Sequence, residues 1–212
     1  MDAAVRHPLF ARVYARMAPA MEQTVGAFRR ELLAGLSGRV IEVGAGTGAN
    51  FRHYPPAVTE VVAVEPEAYL RDRATAAARK APVAVTVRDG LAEQLPADAG
   101  GFGAAVASLV LCSVRDARRA LAEIARVLEP GGQLRFLEHV RADTPGLARV
   151  QAGIDHVWPW ISGGCHTSRD TLAAIEHAGF VVEDVRRFRL PDTRIPSPTS
   201  PVVLGRARLA MA

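Results

Sequence analysis

The sequence predicts an α/β fold, a doubly wound parallel sheet covered by helices. Three observations carry that expectation. From residue 38 onward, short apolar runs alternate with amphipathic stretches in the rhythm of βαβ units. The run FGAAVASLV at 102–110 is apolar without alternation, as a strand buried on both faces requires. The first such run, RVIEV at 39–43, opens directly onto glycines at 44, 46 and 48, a turn that suits a strand feeding a helix. The 212 residues suit one domain, and 49% hydrophobic with 23% charged residues excludes a chain that is disordered or coiled coil throughout. A chain of this length buries about 70% of its unfolded surface, so its core needs no metal or disulfide staple.

The elements follow in order. Residues 8–36 read as helix, with Leu9, Phe10, Val13, Met17, Met21, Val25, Phe28, Leu32 and Leu36 forming one apolar stripe. Pro19 is expected to kink or divide it, and Ser37-Gly38 to stop it. The stripe suits packing on a sheet. A lid over a pocket is the alternative, and adsorption to a membrane a third, because arginines alternate with the aliphatics. Strands are expected at 39–43, 60–64, 83–87, 102–110 and 133–137. Helices are expected at 67–80, which is strongly helix-forming, and at 117–128, where Asp116 is the N-cap. Between that helix and the fifth strand, Glu129-Pro130-Gly131-Gly132 forces a turn. Residues 141–165 read as irregular or partly helical. Thr167 with Asp170 is a candidate capping box for a helix that closes at Gly179. Two further strands, 181–190 and 202–209, flank a Pro/Ser-rich connection.

Charge and cysteine usage narrow the function classes. Of 26 basic residues only Lys80 is lysine, and the 22 acidic residues leave a net charge of +4. Arg71, Arg73, Arg79, Arg118, Arg119 and Arg126 fall on the exposed faces of expected helices, among Asp and Glu, without a dense basic block. Solvated faces account for them, and nucleic acid is not an expected partner. Cys112 and Cys165 are too few for a disulfide framework, and Cys112 reads as a small buried hydrophobe. With His156 and His166 they lack ligand spacing, so no metal site is expected. The N-terminal residues show no apolar core of signal-peptide length, and no apolar run is long enough to span a bilayer. The expectation is a cytoplasmic protein with reduced thiols.

The chemistry lies in VIEVGAGTGAN at 40–50. Its glycines let backbone N–H groups approach a ligand at the carboxyl edge of the sheet. Glu65, about twenty residues on, ends the second strand, where a carboxylate can take two ribose hydroxyls. Gly44-x-Gly46-x-x-Ala49 also satisfies the dinucleotide fingerprint, so this motif alone leaves two cofactor classes open. Three further features separate them: Glu42 two residues before the first glycine, RDGL at 88–91 followed by Glu93 and Leu95-Pro96, and the EPGG turn before the fifth strand.

In this order, across residues 38–140, the motifs resemble the class I S-adenosylmethionine-dependent methyltransferases. That resemblance implies a Rossmann-like seven-stranded sheet, mostly parallel with the last strand antiparallel, and an N-terminal helical cover. The layout is then a single methyltransferase domain over 1–212: cover at 1–37, cofactor-binding core at 38–140, substrate-side segment and terminal strands at 141–212. The resemblance implies S-adenosyl-L-methionine as cofactor and S-adenosyl-L-homocysteine as product. It places Glu42, Gly44, Ala45, Gly46 and Asn50 at the methionine end, Glu65 and Pro66 at the ribose, and Asp89 at the adenine amine. Gly90 and Leu91 then line the ring, and Ser108 and Leu109 flank the methionine portion.

A narrower resemblance spans residues 10–190. GTGANFRHYP at 46–55, SLVLCSV at 108–114, LEHV at 137–140, the Trp-Pro-Trp segment, GCHTSRDT at 164–171 and AGF at 178–180 are similar to the small thiol methyltransferase-like family. It implies methyl transfer to a small molecule, with a thiol sulfur as the first acceptor. N-methylation of a phospholipid amine, or O- or C-methylation of a quinone-like or natural-product substrate, is the alternative, and a non-catalytic cofactor-binding protein a third reading. The animal members begin with a long hydrophobic anchor that this sequence lacks, so membrane attachment does not carry over, while peripheral contact stays open. Oligomeric state is not addressed by any motif. His139, at the end of the fifth strand, is the first candidate base, with ordering of its loop as the alternative. Tyr14 resembles the tyrosine that many relatives place over the cofactor, with a core-facing aromatic as the alternative. His166 reads either as substrate-facing or as part of a helix entry. Asp155-His156, near Trp158 and Trp160, are candidates for an apolar substrate cavity, with simple packing as the alternative.

Overall fold

The computed structural model describes residues 8–210. Seven strands form one sheet: β1 (Gly38–Val43), β2 (Val58–Val64), β3 (Val85–Arg88), β4 (Phe102–Ser108), β5 (Leu128–His139), β6 (Phe180–Arg189) and β7 (Pro201–Leu209), in the order β3-β2-β1-β4-β5-β7-β6. The pairings β3-β2-β1-β4-β5 are parallel, and β7 runs antiparallel to both β5 and β6. Strand order reverses between β1 and β4, and the carboxyl ends of the parallel strands share one edge. A crevice opens at such a switch point.

Period-two alternation explains the unpatterned apolar strands. Ile41, Val43, Val62, Val64, Ala105 and Ala107 join the core on one face, with Leu121, Ile124 and Ile175. Val40, Val61, Ala63, Ala104 and Val106 join the other, with Leu32, Leu33 and Ala74. Each fully buried Leu or Ile contributes roughly 1.5–3 kcal/mol. The helices are α1 (Pro8–Leu33), α2 (Ala68–Ala78), α3 (Ala117–Val127), α4 (Pro145–Ile154), α5 (Trp158–Ile161) and α6 (Thr171–His177). Asp116 caps α3 as expected, accepting from the Arg119 N–H at 3.0 Å.

Several local expectations are corrected. Pro19 does not divide α1; it sits on the exposed side, so the carbonyl that loses its N–H partner is not sealed in the core. The apolar stripe is not buried along its length. Val25, Leu32 and Leu33 are buried, but Leu9 is 78% and Met17 54% exposed, because the first half of α1 overhangs the sheet edge. The EPGG segment is taken up within β5 rather than standing before it as a separate turn: Phe102 pairs with Leu128 and Ala104 with Gln133, so the extra residues bulge out. The last helix is capped by Asp170, which accepts from Ala173 N–H. Thr167 instead gives its hydroxyl to Asp155 at 2.9 Å.

Candidate active site

The crevice holds a cavity of about 270 Å³. One wall is the glycine turn after β1. The N–H groups of Gly44 and Ala45 both donate to the Val64 carbonyl, at 2.9 and 3.1 Å, which folds the turn back onto the sheet edge. Gly44 has φ +66° and lies so close to Val110 that a Cβ there would overlap the valine. The Gly46 N–H donates to a Glu65 carboxylate oxygen at 2.7 Å, and the Glu67 N–H holds the other oxygen at 2.9 Å. Glu65 is thus fixed on the cavity wall at the end of β2, where burial pushes its carboxyl up to about 7. Pro66, Gly90, Leu91 and Ser108 complete this wall. A buried, pre-oriented carboxyl beside a glycine turn fits the ribose end of S-adenosylmethionine.

Other residues of the sequence reading sit around this wall rather than on it. The Asp89 carboxylate is 70% exposed and paired with Arg71 at 3.1 Å, adjacent to Gly90. Glu42 and Asn50 are buried and are not among the cavity-lining residues. Glu42 accepts from Asn50 Nδ2 at 3.0 Å and from the Tyr54 hydroxyl at 2.7 Å. Burial pushes its carboxyl up to about 7. Ala45 is buried within the turn.

The cover helix contributes a residue that the sequence reading missed. Arg29 is only 5% exposed and donates to Asn50 Oδ1 at 2.8 Å and Ser108 Oγ at 3.2 Å, with Glu22 at 3.4 Å. The signal was an arginine within the apolar spacing Val25-Arg29-Leu32. Toward its start the same helix lays Tyr14 on the cavity, about 3.5 Å from where a Gly46 Cβ would stand. Burial raises the phenol above its usual range.

The second wall follows β4. Leu109 adopts φ +59°, a left-handed conformation that costs a leucine roughly 1–2 kcal/mol. Its N–H donates to the Leu137 carbonyl at 2.7 Å. The next three N–H groups, of Val110, Leu111 and Cys112, all donate to the carboxylate of the fully buried Glu138, at 3.0, 3.0 and 3.2 Å. Burial pushes that carboxyl up to about 7 as well. Glu138 is the second site residue whose role no sequence motif marks, since its partners lie 26 to 28 residues away. His139 itself lies behind this wall: it does not line the cavity, its Nδ1 is buried without a partner, and burial lowers its pKa.

Segment 163–166 closes the chamber. Phe10 packs on Gly163, and the His166 N–H donates to the Cys112 carbonyl at 2.8 Å. The Cys112 and Cys165 sulfurs are 3.6 Å apart. His166 lines the cavity, with Nδ1 3.6 Å from Asp155 Oδ2. Asp155 also accepts from the backbone N–H and hydroxyl of both Thr167 and Ser168, which lowers its pKa despite burial. Neither Asp155 nor His156 lines the cavity, which leaves the packing alternative for this pair. His156 folds back on the Ala152 and Gly153 carbonyls, and Trp160 is 83% exposed. Among the described residues, no cluster of three or more His, Cys, Asp or Glu could hold a metal ion.

Fold and pocket together define an S-adenosylmethionine-dependent methyltransferase of class I. Residues 41–136 match a family profile described as a methyltransferase domain. A putative methyltransferase from Bacillus halodurans C-125 shares the fold, with a TM-score of 0.70 at 17% identity, over 87% of this chain and 98% of that one. The human protein named thiol S-methyltransferase TMT1B is 33% identical over 211 residues, 93% of this chain and 85% of the relative. Human thiol S-methyltransferase TMT1A is 34% identical over 165 residues, 74% of this chain and 67% of the relative. The chain belongs to the thiol S-methyltransferase family.

Proposed function

We propose that this enzyme transfers a methyl group from S-adenosylmethionine to the sulfur of a small thiol in the cytoplasm. The observation that carries the reading is the second half of the cavity, lined by Phe10, Val110, Val114 and Gly163. Such walls suit a small apolar acceptor and agree with the activity for which the human relatives are named. Among the described residues, no helix is long and apolar enough to cross a membrane.

The bound cofactor supplies an activated methyl group, so the protein's task is positioning. In this reading the glycine turn receives the methionine end, Glu65 the ribose, and Gly90, Leu91 and Asp89 the adenine. Ser108 and the strained Leu109 set the place of the reacting carbon, and Tyr14 covers it. The buried His139 orders the loop after β5. The test is a panel in which the purified enzyme meets labelled cofactor with small thiols, amines, phenols and phospholipid vesicles. Thiol turnover is expected, and vesicle methylation without thiol turnover overturns the reading.

A further inference from the structure

We propose that His166, oriented by Asp155, is the general base that deprotonates the acceptor. The proposal rests on the thiol reading above and names the residue that activates the substrate. A free thiol with a pKa of about 8.5 is only a few per cent thiolate at neutral pH. A positioned base therefore has work to do, and general base catalysis contributes typically about 10²–10⁴-fold.

Elimination and geometry lead to the same imidazole. Glu65 lines the cavity but is held by the N–H groups of Gly46 and Glu67. Glu93 also lines it, but one of its carboxylate oxygens accepts from the N–H groups of Arg115 and Asp116, at 2.9 and 3.2 Å. Burial raises the Tyr14 phenol, which makes it a poorer base at neutral pH. His139 lies outside the cavity wall. His166 is on the wall, with its side chain 41% exposed, and Asp155 stands on the Nδ1 side at 3.6 Å. That arrangement leaves Nε2 for a ligand, and no hydrogen bond of the described residues uses it.

Its placement is fixed from both sides. The His166 backbone is tied to the Cys112 carbonyl, four residues beyond Ser108. The Asp155 carboxylate is held by four donors and cannot swing away. A carboxylate that orients an imidazole also stabilises the imidazolium formed when it takes a proton. Asp155 at the end of α4 faces its ring, Cys165 is its chain neighbour and Cys112 holds its backbone, while Tyr14, Glu65, Glu93 and Arg115 are the other titratable and charged groups lining the same cavity. Arg169 ties down the carbonyls of Leu111 and Val114.

The step balances simply. The thiol proton passes to Nε2. The thiolate lone pair forms the new carbon–sulfur bond to the methyl group, and the pair of the broken sulfonium–methyl bond stays on the departing thioether. The imidazolium then returns its proton to water.

The test compares two acceptors, 2-mercaptoethanol and 4-nitrothiophenol, the second already ionised at neutral pH. In His166→Ala and His166→Gln, kcat/KM for 2-mercaptoethanol should fall about 100-fold, with a loss at least tenfold smaller for 4-nitrothiophenol. Added imidazole should restore part of the His166→Ala rate, and calorimetric cofactor affinity should stay within about twofold. Asp155→Asn should lose about tenfold with the same preference between thiols, as expected of a positioning residue. Equal losses with both thiols, or no loss with either, overturn the role of His166. A wild-type enzyme that methylates neither thiol overturns the acceptor reading itself, and this proposal with it.

Discussion

The two walls of the cavity are built in opposite ways. The cofactor wall is made from the ends of β1, β2 and β4 and held by backbone hydrogen bonds across neighbouring strands, such as Gly44 and Ala45 to Val64. The other wall, which the proposed function gives to the acceptor, is made from loops and a helix end: Phe10 from α1, Val110, Ser113 and Val114 after β4, and Gly163, Gly164 and His166 after α5. It is held by side chains reaching across long stretches of sequence, Glu138 to 110–112 and Arg169 to Leu111 and Val114. The sheet that fixes one wall leaves the other free to vary, which is how one fold serves many acceptors.

Breaking the turn of the cofactor wall should have the largest effect. Gly44→Ala places a Cβ onto Val110 and imposes positive φ on alanine. Overpacking of about 1–3 kcal/mol and a left-handed cost of roughly 1–2 kcal/mol add together. Calorimetric titration should find no cofactor binding, and thermal melts should fall clearly.

A pH titration probes both walls at once. Burial lifts Glu42, Glu65 and Glu138 from the ordinary 4.5 to about 7. Between those values each stays protonated in the folded chain and ionises in the unfolded one. The stabilisation is therefore full below about pH 4.5 and lost as pH rises through about 7, roughly 3 kcal/mol for one fully shifted group. Denaturant unfolding of the ligand-free enzyme should show this decline, and a flat profile from pH 5 to 8 would contradict it.

Removing the cation that joins α1 to the sheet edge comes next. Arg29→Leu leaves Asn50 and Ser108 without their donor beside the buried Glu42. Losing one partner of a buried charged network costs about 3 kcal/mol or more, to be read from the denaturant midpoint.

The smallest effects contrast two acidic residues, Glu65 on the cavity wall and Asp89 beside it. Glu65→Gln replaces one acceptor oxygen of a buried carboxyl with an amide NH2 and should cost about 1–3 kcal/mol of cofactor affinity, as for a buried hydrogen-bonding group that loses its partner. Asp89→Ala removes a group that is 70% exposed and ion-paired with Arg71, and should cost at most about 1 kcal/mol. Equal losses would show that the exposed carboxylate closes on the cofactor when it binds.

The two walls also differed in how well they could be read. Strand, glycine turn and following carboxylate lie in short contiguous stretches, so VIEVGAGTGAN and Glu65 were legible from spacing. β4 was legible because a strand covered on both faces has no polar positions. Arg29 and Glu138 were not, because their partners lie 21 and 79, and 26 to 28, residues away, and Asp155 stood out without its partners 12 and 13 residues on. A pattern that marks a buried face does not say which polar group will meet another across it. His139 drew attention by standing at a strand end, whereas Glu138 beside it faces the loop. The alternation of a strand turns neighbours to opposite sides. The stripe on α1 misled for a related reason: periodicity shows that a helix has an apolar face, but not how far the sheet beneath it extends.

Arg29 has one more consequence, for how such a protein can be taken apart. The guanidinium rises from α1 and ends among Asn50, Ser108 and the surroundings of Glu42, inside the core it covers. A graft that exchanged residues 1–37 between relatives would have to carry a cation at this position. Cover and core are in that sense a single inheritable part, joined by this buried side chain as well as by the peptide linking them.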